Sequence, residues 1–464
     1  MNAVLEEKND LPNGWKLKPI GEIVQPTRPR ISPSEKPELS FLGMDHIEAH
    51  TMRMLGSVPA STMKSSAVHF QPGDVLYGRL RPYLNKVFQP HFEGLCSAEF
   101  IVFPETDELD NKYLQYFLNS STFVRHATSL NSGDRPRVKF EQLAPYEIPL
   151  PPKEQQKRIV AKIEELFSHI DAGIEALKKA KQLLKQYRQS VLKAAVTGEL
   201  TKEWREANKA KLEPASQLLE RIEFSRNAWI EVQIDKDNCE AKRLKNKLKK
   251  HEFEELDSSL LPDEWGSVSL TKLCLLVVDC HNKTAPYVEN GIPLIRTSNI
   301  RDGVINFEEK MKYVNQETHE YWSRRCLPEP GDILFTREAP MGESAIIPEN
   351  RKVCMGQRMM LLRVIHDLVD VEYLHVALMD PLFQKRVQGF KVGVGVQHLR
   401  VGDVEKAVVA LPPHIEQKEI VRVASERLDA ITRLENEIDH HLVKAEKNKQ
   451  SILASAFKGS LYGE

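Results

Sequence analysis

The stretch Leu150–Leu200, LPPKEQQKRIVAKIEELFSHIDAGIEALKKAKQLLKQYRQSVLKAAVTGEL, decides the fold because the chain contains it twice. The second copy is Leu411–Leu461, LPPHIEQKEIVRVASERLDAITRLENEIDHHLVKAEKNKQSILASAFKGSL. Leu-Pro-Pro, Gln156/Gln417, Lys157/Lys418, Ile159/Ile420 and Val160/Val421 match near the start, and Gln189–Leu192 matches Gln450–Leu453 near the end. A repeat of this length outranks any short motif. Adjacent prolines fix φ and lack N–H groups, so a strand or loop stops there and a helix starts just after. In the first copy Ile163, Ile170, Leu177, Leu184 and Val191 recur in sevens, with Ile159, Leu166, Gly173, Ala180 and Tyr187 read as their companions. Lys and Glu fill the faces between, as in a coiled coil. The second copy carries a rougher stripe of Ile420, Ala424, Ile431, Leu434, Ile438, Leu442, Ala445 and Ile452, with His441 and Asn448 beside it. Gly173 and Ala180 leave room for Ile431 or Leu434.

A helix of about 45 residues spans roughly 65–70 Å, too long to serve one small domain. Its obvious partner is the other copy. An antiparallel pair puts the two globular domains at opposite ends, and the first helix then finishes where the second domain must start. The expected architecture is α+β, with two similar domains separated by a long antiparallel coiled coil.

Taken in order, residues 1–152 form the first domain, opened by LPNGW at Leu11. Strand-like runs follow at Asp74–Gly78, Phe100–Phe103 and Tyr146–Leu150, and a helix begins within Tyr113–Leu118. Residues 153–210 are the first long helix, continued by TKEWREANKAK. Residues 211–260 are a charged helical connector, with Pro214 as a break and a basic run through Lys242, Arg243, Lys245, Lys247, Lys249 and Lys250. Such a run is most simply a solvated helix face. Residues 261–413 repeat the first plan: LPDEW answers LPNGW, Gly331–Leu334 answers Gly73–Leu76, Cys354 answers Cys96, and Tyr373-Leu374 answers Tyr113-Leu114. Residues 414–464 are the second helix. The net charge of -1 neither selects nor excludes a nucleic-acid partner. Six cysteines without a C-x-x-C pair read as reduced thiols. With no signal peptide and no apolar run of membrane length, the expected location is the cytoplasm, away from any membrane.

Catalytic constellations are missing: no phosphate-binding G-x-x-x-x-G-K-[ST], no H-E-x-x-H, no serine elbow and no amino-methyltransferase N/D-P-P-Y/F motif. No metal site is expected. Binding residues are better represented. Arg28 and Arg30 lie in a proline-rich loop, Arg79, Arg81, Asn85 and Lys86 in GRLRPYLNK, and Arg135 and Arg137 around Pro136. The second domain offers Arg296, Asn299 and Arg301 in IRTSNIR, then Arg337, then Lys391, Gln397 and His398. Arg reads guanine or holds phosphate, and Asn and Gln read adenine. These residues lie in loops that differ between otherwise matching domains, which is what modules reading different targets require.

The paired LPNGW/LPDEW, GDVLYGRLRP/GDILFTREAP, LPPKEQQKRIV/LPPHIEQKEIV and QSVLKAAVTGEL/QSILASAFKGSL resemble the specificity subunits of Type I restriction–modification systems, over nearly the whole chain. The resemblance implies two target-recognition domains, each reading half of a split double-stranded DNA sequence. It implies no catalysis by this chain and a coil that docks two modification (methyltransferase) subunits, joined by two restriction subunits. S-adenosylmethionine would belong to the modification subunit, leaving no cofactor here. The second copy lacks the TKEWR extension that follows the first. The alternative is a coiled-coil scaffold whose paired domains bind proteins.

Overall fold

In the computed structural model of the chain, residues 11–461 are described apart from 132, 251, 258, 260, 309 and 391–396. They divide into two compact units, residues up to Ala180 with those from Glu437 onward, and Lys181–Asn436. The repeated stretches are two unbroken helices, Lys153–Val196 and His414–Lys458. Each begins in one unit and ends in the other, so they run in opposite directions.

Each unit closes its own chain in the same way. Lys16–Pro19 pairs antiparallel with Glu147–Leu150, and Gly266–Ser269 pairs with Val408–Leu411. The segment after LP-x-x-W therefore lies beside the strand that leads into Leu-Pro-Pro. A short helix then locks onto that junction. Asp110 and Asp370 cap Asn111–Leu118 and Val371–Met379, accepting the backbone N–H of Tyr113 and Tyr373 at 3.0 and 3.1 Å. The tyrosine hydroxyls donate to the carbonyls of Pro149 and Ala410, at 2.7 and 2.9 Å. Gln156 and Gln417 are fully buried, and each side-chain carbonyl accepts the N–H of the capping aspartate at 2.8 Å. Their amides donate to the carbonyls of Pro151 and Pro412, at 2.8 and 2.9 Å. A buried amide that lost these partners would be costly, which explains why glutamine stands in both copies.

Within the first unit, Val75–Gly78 is the middle of a three-stranded sheet, between Val87–Phe88 and Phe100–Phe103. In the second, Ile333–Arg337 lies between Met341–Ile346 and Met359–Arg363, with Leu276–Asp279 added at the edge. A parallel pairing recurs as well: Ser40–Leu42 with Gly94–Cys96, and Ile292–Ile295 with Cys354–Met355. The first unit extends that sheet to five strands. The α+β reading and the matched frame therefore hold.

The helix seam needs correction. Ile163 and Val191 are buried, while Ile170, Leu177 and Leu184 are partly covered. Ile159 is buried at its expected companion position and Ala180 is partly covered, but two companions fall one residue later than expected. Phe167 and Ile174 are buried, whereas Gly173 and Tyr187 face outward. At 166/167 and 173/174 both offsets offer an apolar or small residue, and only the partner face chooses between them. On the second helix Ile431 and Ile438 are buried and Ile452 is partly covered, but Leu434 is 48% exposed and Glu435 takes its place. His441 and Asn448 are exposed and do not interrupt the seam. Polar pairs do. Arg188 bonds Glu435 at 2.8 Å and Thr432 at 3.0 Å in the second unit. Lys449 bonds Asp171 at 2.6 Å in the first.

The first helix also ends earlier than the expected 153–210. It stops at Val196, Gly198 adopts φ +76°, and Lys202–Asn208 is a separate helix. Only glycine takes that backbone conformation freely. The connector consists of Ala215–Asp235 and Cys239–Leu248. Most of its basic run is neutralised: Lys242 by Asp237, Arg243 by Glu240, Lys245 by Glu231, and Lys247 by the buried Glu405.

Candidate nucleic-acid interface

The two units present the same backbone device at the end of their central strands. In the first, Arg79 donates its N–H to Glu99 at 2.8 Å and its carbonyl accepts from Val138 at 3.0 Å. In the second, Arg337 donates to Arg358 at 2.8 Å and accepts from Leu399 at 3.0 Å. Bridges between Leu80 and Arg137, and between Glu338 and His398, continue the two pairings. Two residues beyond each arginine the backbone turns left-handed, at Arg81 with φ +53° and Ala339 with φ +48°. Non-glycine residues rarely adopt this conformation, so finding it at matching places marks a constrained loop. A proline follows in both.

Chemistry around this shared frame differs. Glu99 and its counterpart Arg358 carry opposite charges and find partners on different segments, Glu99 with Arg137 and Arg358 with Glu338, each at 2.9 Å. Arg81 has Ala339 as its counterpart.

The sequence candidates in the first unit sort into two groups. Arg28 is committed inward. Its Nε and Nη2 bind the buried Asp74 at 2.7 and 2.5 Å, and the backbone N–H of Gln71 donates to the same carboxylate at 2.8 Å. Asn85 is also interior: it is buried at φ +42° and donates to Asn119 at 2.7 Å. Lys86 donates to the carbonyl of Met44 at 2.5 Å. Arg30 and Arg135 are exposed and have no side-chain partner among the described residues. The Nε atoms of Arg79 and Arg81 are buried and unpartnered. A hollow of about 360 Å³ gathers Arg28, Arg30, Arg79 and Lys139 over Phe100, with Glu141 also at its edge.

In the second unit Arg296 donates to the carbonyl of Lys310 at 2.6 Å, and Arg301 to those of Thr297 and Ile300 at 2.7 and 2.5 Å. Asn299 is buried and accepts the backbone N–H of Arg296 at 3.1 Å. Arg337 Nη1 makes one bond, 3.2 Å to the Leu399 carbonyl, and its Nε is buried without a partner. Gln397 is exposed and His398 partly so. Lys391 lies outside the described residues.

Sequence reading missed two features. Lys139 enters the hollow from the loop that follows Arg137. In the second unit His281 packs edge-on against Tyr321 and Trp322, and Arg324 stacks 4.0 Å from the Tyr321 ring centroid. Burial first, then Arg324 and Lys283, lower the His281 pKa, favouring neutral imidazole. The run YWSRR, Tyr321–Arg325, was the available signal. No group of three or more metal-binding side chains occurs among the described residues, and no described helix is long and apolar enough to cross a membrane.

The family of the Type I restriction modification DNA specificity domain matches residues 12–185 and 262–443, one match per unit plan. The chain is 27% identical over 321 residues to the EcoBI specificity subunit of Escherichia coli, covering 68% of this chain and 58% of that protein. It is 29% identical over 229 residues to the EcoDI specificity subunit, 48% of this chain and 51% of the relative. The chain thus spans little more than half the length of these two. It covers 90% of the Escherichia coli K12 EcoKI specificity subunit at 23% identity. Among solved structures, one from a study of complex assembly in a type I R-M system aligns with a TM-score of 0.68 at 19% identity, over 97% of this chain and 99% of that one. The HsdS subunit from Thermoanaerobacter tengcongensis aligns at 0.51 and 20% identity, over 98% and 100%. These two support the fold. The family matches, covering well over half of the sequence, decide the assignment: this chain belongs to the Type I restriction modification DNA specificity family.

Proposed function

We propose that this chain is the DNA-reading subunit of a Type I restriction–modification complex, recognising a two-part target without catalysing a reaction itself. The observation that carries this reading is one strand-end device built twice, around Arg79 and Arg337, with different side chains beside it. A common frame with different flanking charges suits two modules that approach the same kind of ligand and read different parts of it. The paired helices dock two modification subunits, which carry S-adenosylmethionine, and two restriction subunits join them. Leu183 and Tyr187, 55% and 48% exposed one turn apart on the first helix, supply apolar surface for such docking.

Domain exchange tests the reading. Replacing residues 11–149 by the corresponding unit of a relative, in the assembled complex, is expected to change one half of the methylated sequence and preserve the other. A change in both halves, or in neither, removes the modular reading. Loss of all sequence preference from the unmodified complex would favour a protein-binding scaffold instead.

A further inference from the structure

We propose that Arg79 and Arg337 are a matched pair of phosphate-holding residues, one in each unit, that grip the DNA backbone in the same way whatever sequence is read. The inference rests on the DNA-reading function proposed above and divides the labour within it. A contact to a group that is identical at every position of a duplex can use the same residue in both modules. A contact that distinguishes bases must differ between modules that read different half-sites.

Arg79 and Arg337 meet the first condition. Their backbones are fixed by the same two hydrogen bonds, and each leads into a left-handed residue followed by proline. Both guanidinium Nε atoms are buried and unpartnered, as are those of Arg81, Arg226 and Arg296, an unfavourable state that turning the side chain outward onto an acceptor would relieve. Neither guanidinium forms an ion pair with a carboxylate among the described residues. The carboxylates beside them are occupied: Glu99 holds Arg137, and Glu338 holds Arg358. The two positive charges are thus left without a carboxylate partner among the described residues, although the ion pairs next to them join different segments in the two units.

The surroundings of Arg79 favour an anion over a neutral base edge. It shares its hollow with Arg30 and Lys139, neither of which has a side-chain partner among the described residues. Arg28 is neutralised there by Asp74, and Glu141 supplies one negative charge against three positive ones. A phosphate oxygen can accept from Nε and the adjacent terminal N–H together, the side-on geometry that arginine offers and lysine does not. Arg337 keeps Nε and Nη2 for the same use, because its single bond to Leu399 occupies Nη1. The second condition falls to residues that differ around these two, Arg81 against Ala339 and Arg137 against His398.

The test uses the assembled complex containing the full chain and a duplex that the wild-type complex selects from a randomised pool. Binding of that duplex, and of an unrelated one, is titrated at several salt concentrations for Arg79→Ala, Arg337→Ala, Arg79→Lys and Arg337→Lys. Each alanine variant is expected to weaken both duplexes by the same factor, roughly tenfold to a hundredfold. Each should also lower the salt slope by about 1 while the selected sequence stays the same. The lysine variants, which keep the charge, should retain the slope. Melting curves and retained assembly show that the variants fold. If a variant relaxes one base position, or keeps affinity and slope unchanged, the phosphate assignment is overturned while the DNA-reading function stands. If lysine lowers the salt slope as much as alanine does, the arginines act by pinning the 138 and 399 segments and not through a charged contact, which also overturns it. A wild-type complex that selects no sequence removes both proposals.

Discussion

Trp265 donates its indole N–H to a carboxylate oxygen of Glu416 at 2.8 Å, and both side chains are buried. The other Glu416 oxygen accepts from Thr201 Oγ1 and Arg205 Nη1, each at 2.7 Å. Thr201 and Arg205 belong to the TKEWR run that follows the first repeat. The first unit has Gln155 where the second has Glu416, and its Trp15 Nε1 is buried without a partner. A buried carboxylate needs a nearby cation, and Arg205 supplies it to Glu416. Arg205→Ala is expected to destabilise the second unit by roughly 3–5 kcal/mol, because it strands a buried charge. Glu416→Gln, which copies the first unit, should cost less. Urea unfolding of the two variants checks the order.

Arg28 and Arg135 are both proline-flanked arginines in loops, yet they should fail differently. Arg28→Ala leaves Asp74, only 2% exposed, without its cation. The expected loss is roughly 3 kcal/mol of stability, at the low end for a broken buried pair because Arg28 is partly solvated. Arg135→Ala, at an exposed side chain with no partner among the described residues, should leave stability within about 0.5 kcal/mol. Any effect of Arg135→Ala belongs to DNA affinity. Thermal melting beside a DNA titration separates the two.

Lys449 against Asp171 fixes the register of the paired helices in the first unit. Removing Ala172–Lys178 together with Leu442–Asn448 takes one facing heptad from each and keeps that pair. Seven residues correspond to ~10.5 Å of helix, or about 3 base pairs. The expected methylation pattern keeps both half-sites and shortens the gap between them. Affinity should fall, since the half-sites also rotate by about 100° around the duplex. An unchanged gap would mean that something other than these helices sets the spacing.

Stability should decline as pH falls below the ordinary imidazole range near 6.5. Burial is the main cause lowering the pKa of His375 and of His319, so each stays neutral in the folded protein when the unfolded chain already takes up a proton. The unfolded state then binds more protons, and stability is lost as pH drops from the unfolded value through the folded one. His375 also contacts the Ser344 carbonyl through Nε2 at 3.1 Å. His375→Gln keeps a donor and removes the titration. Melting temperatures at pH 7.5 and 5.5 should lie closer together in the variant than in the wild type.

The sequence by itself determined the repeat, the helices, the two matched domain plans and the family they resemble. Those features are written in local periodicity and in residues that recur in both copies, such as Leu-Pro-Pro, Gln156/Gln417 and Tyr113/Tyr373. Tertiary structure alone decided which side of Ile163 and Ile170 the companion seam takes, because Leu166/Phe167 and Gly173/Ile174 satisfy either offset until a partner face is present. It also decided which arginines remain available. Arg28 and Arg79 read alike as loop or strand-end cations, but Asp74 pairs with one and, among the described residues, no carboxylate pairs with the other. A side chain's free charge depends on what distant segments bring to it, and one-dimensional spacing carries no record of that distance.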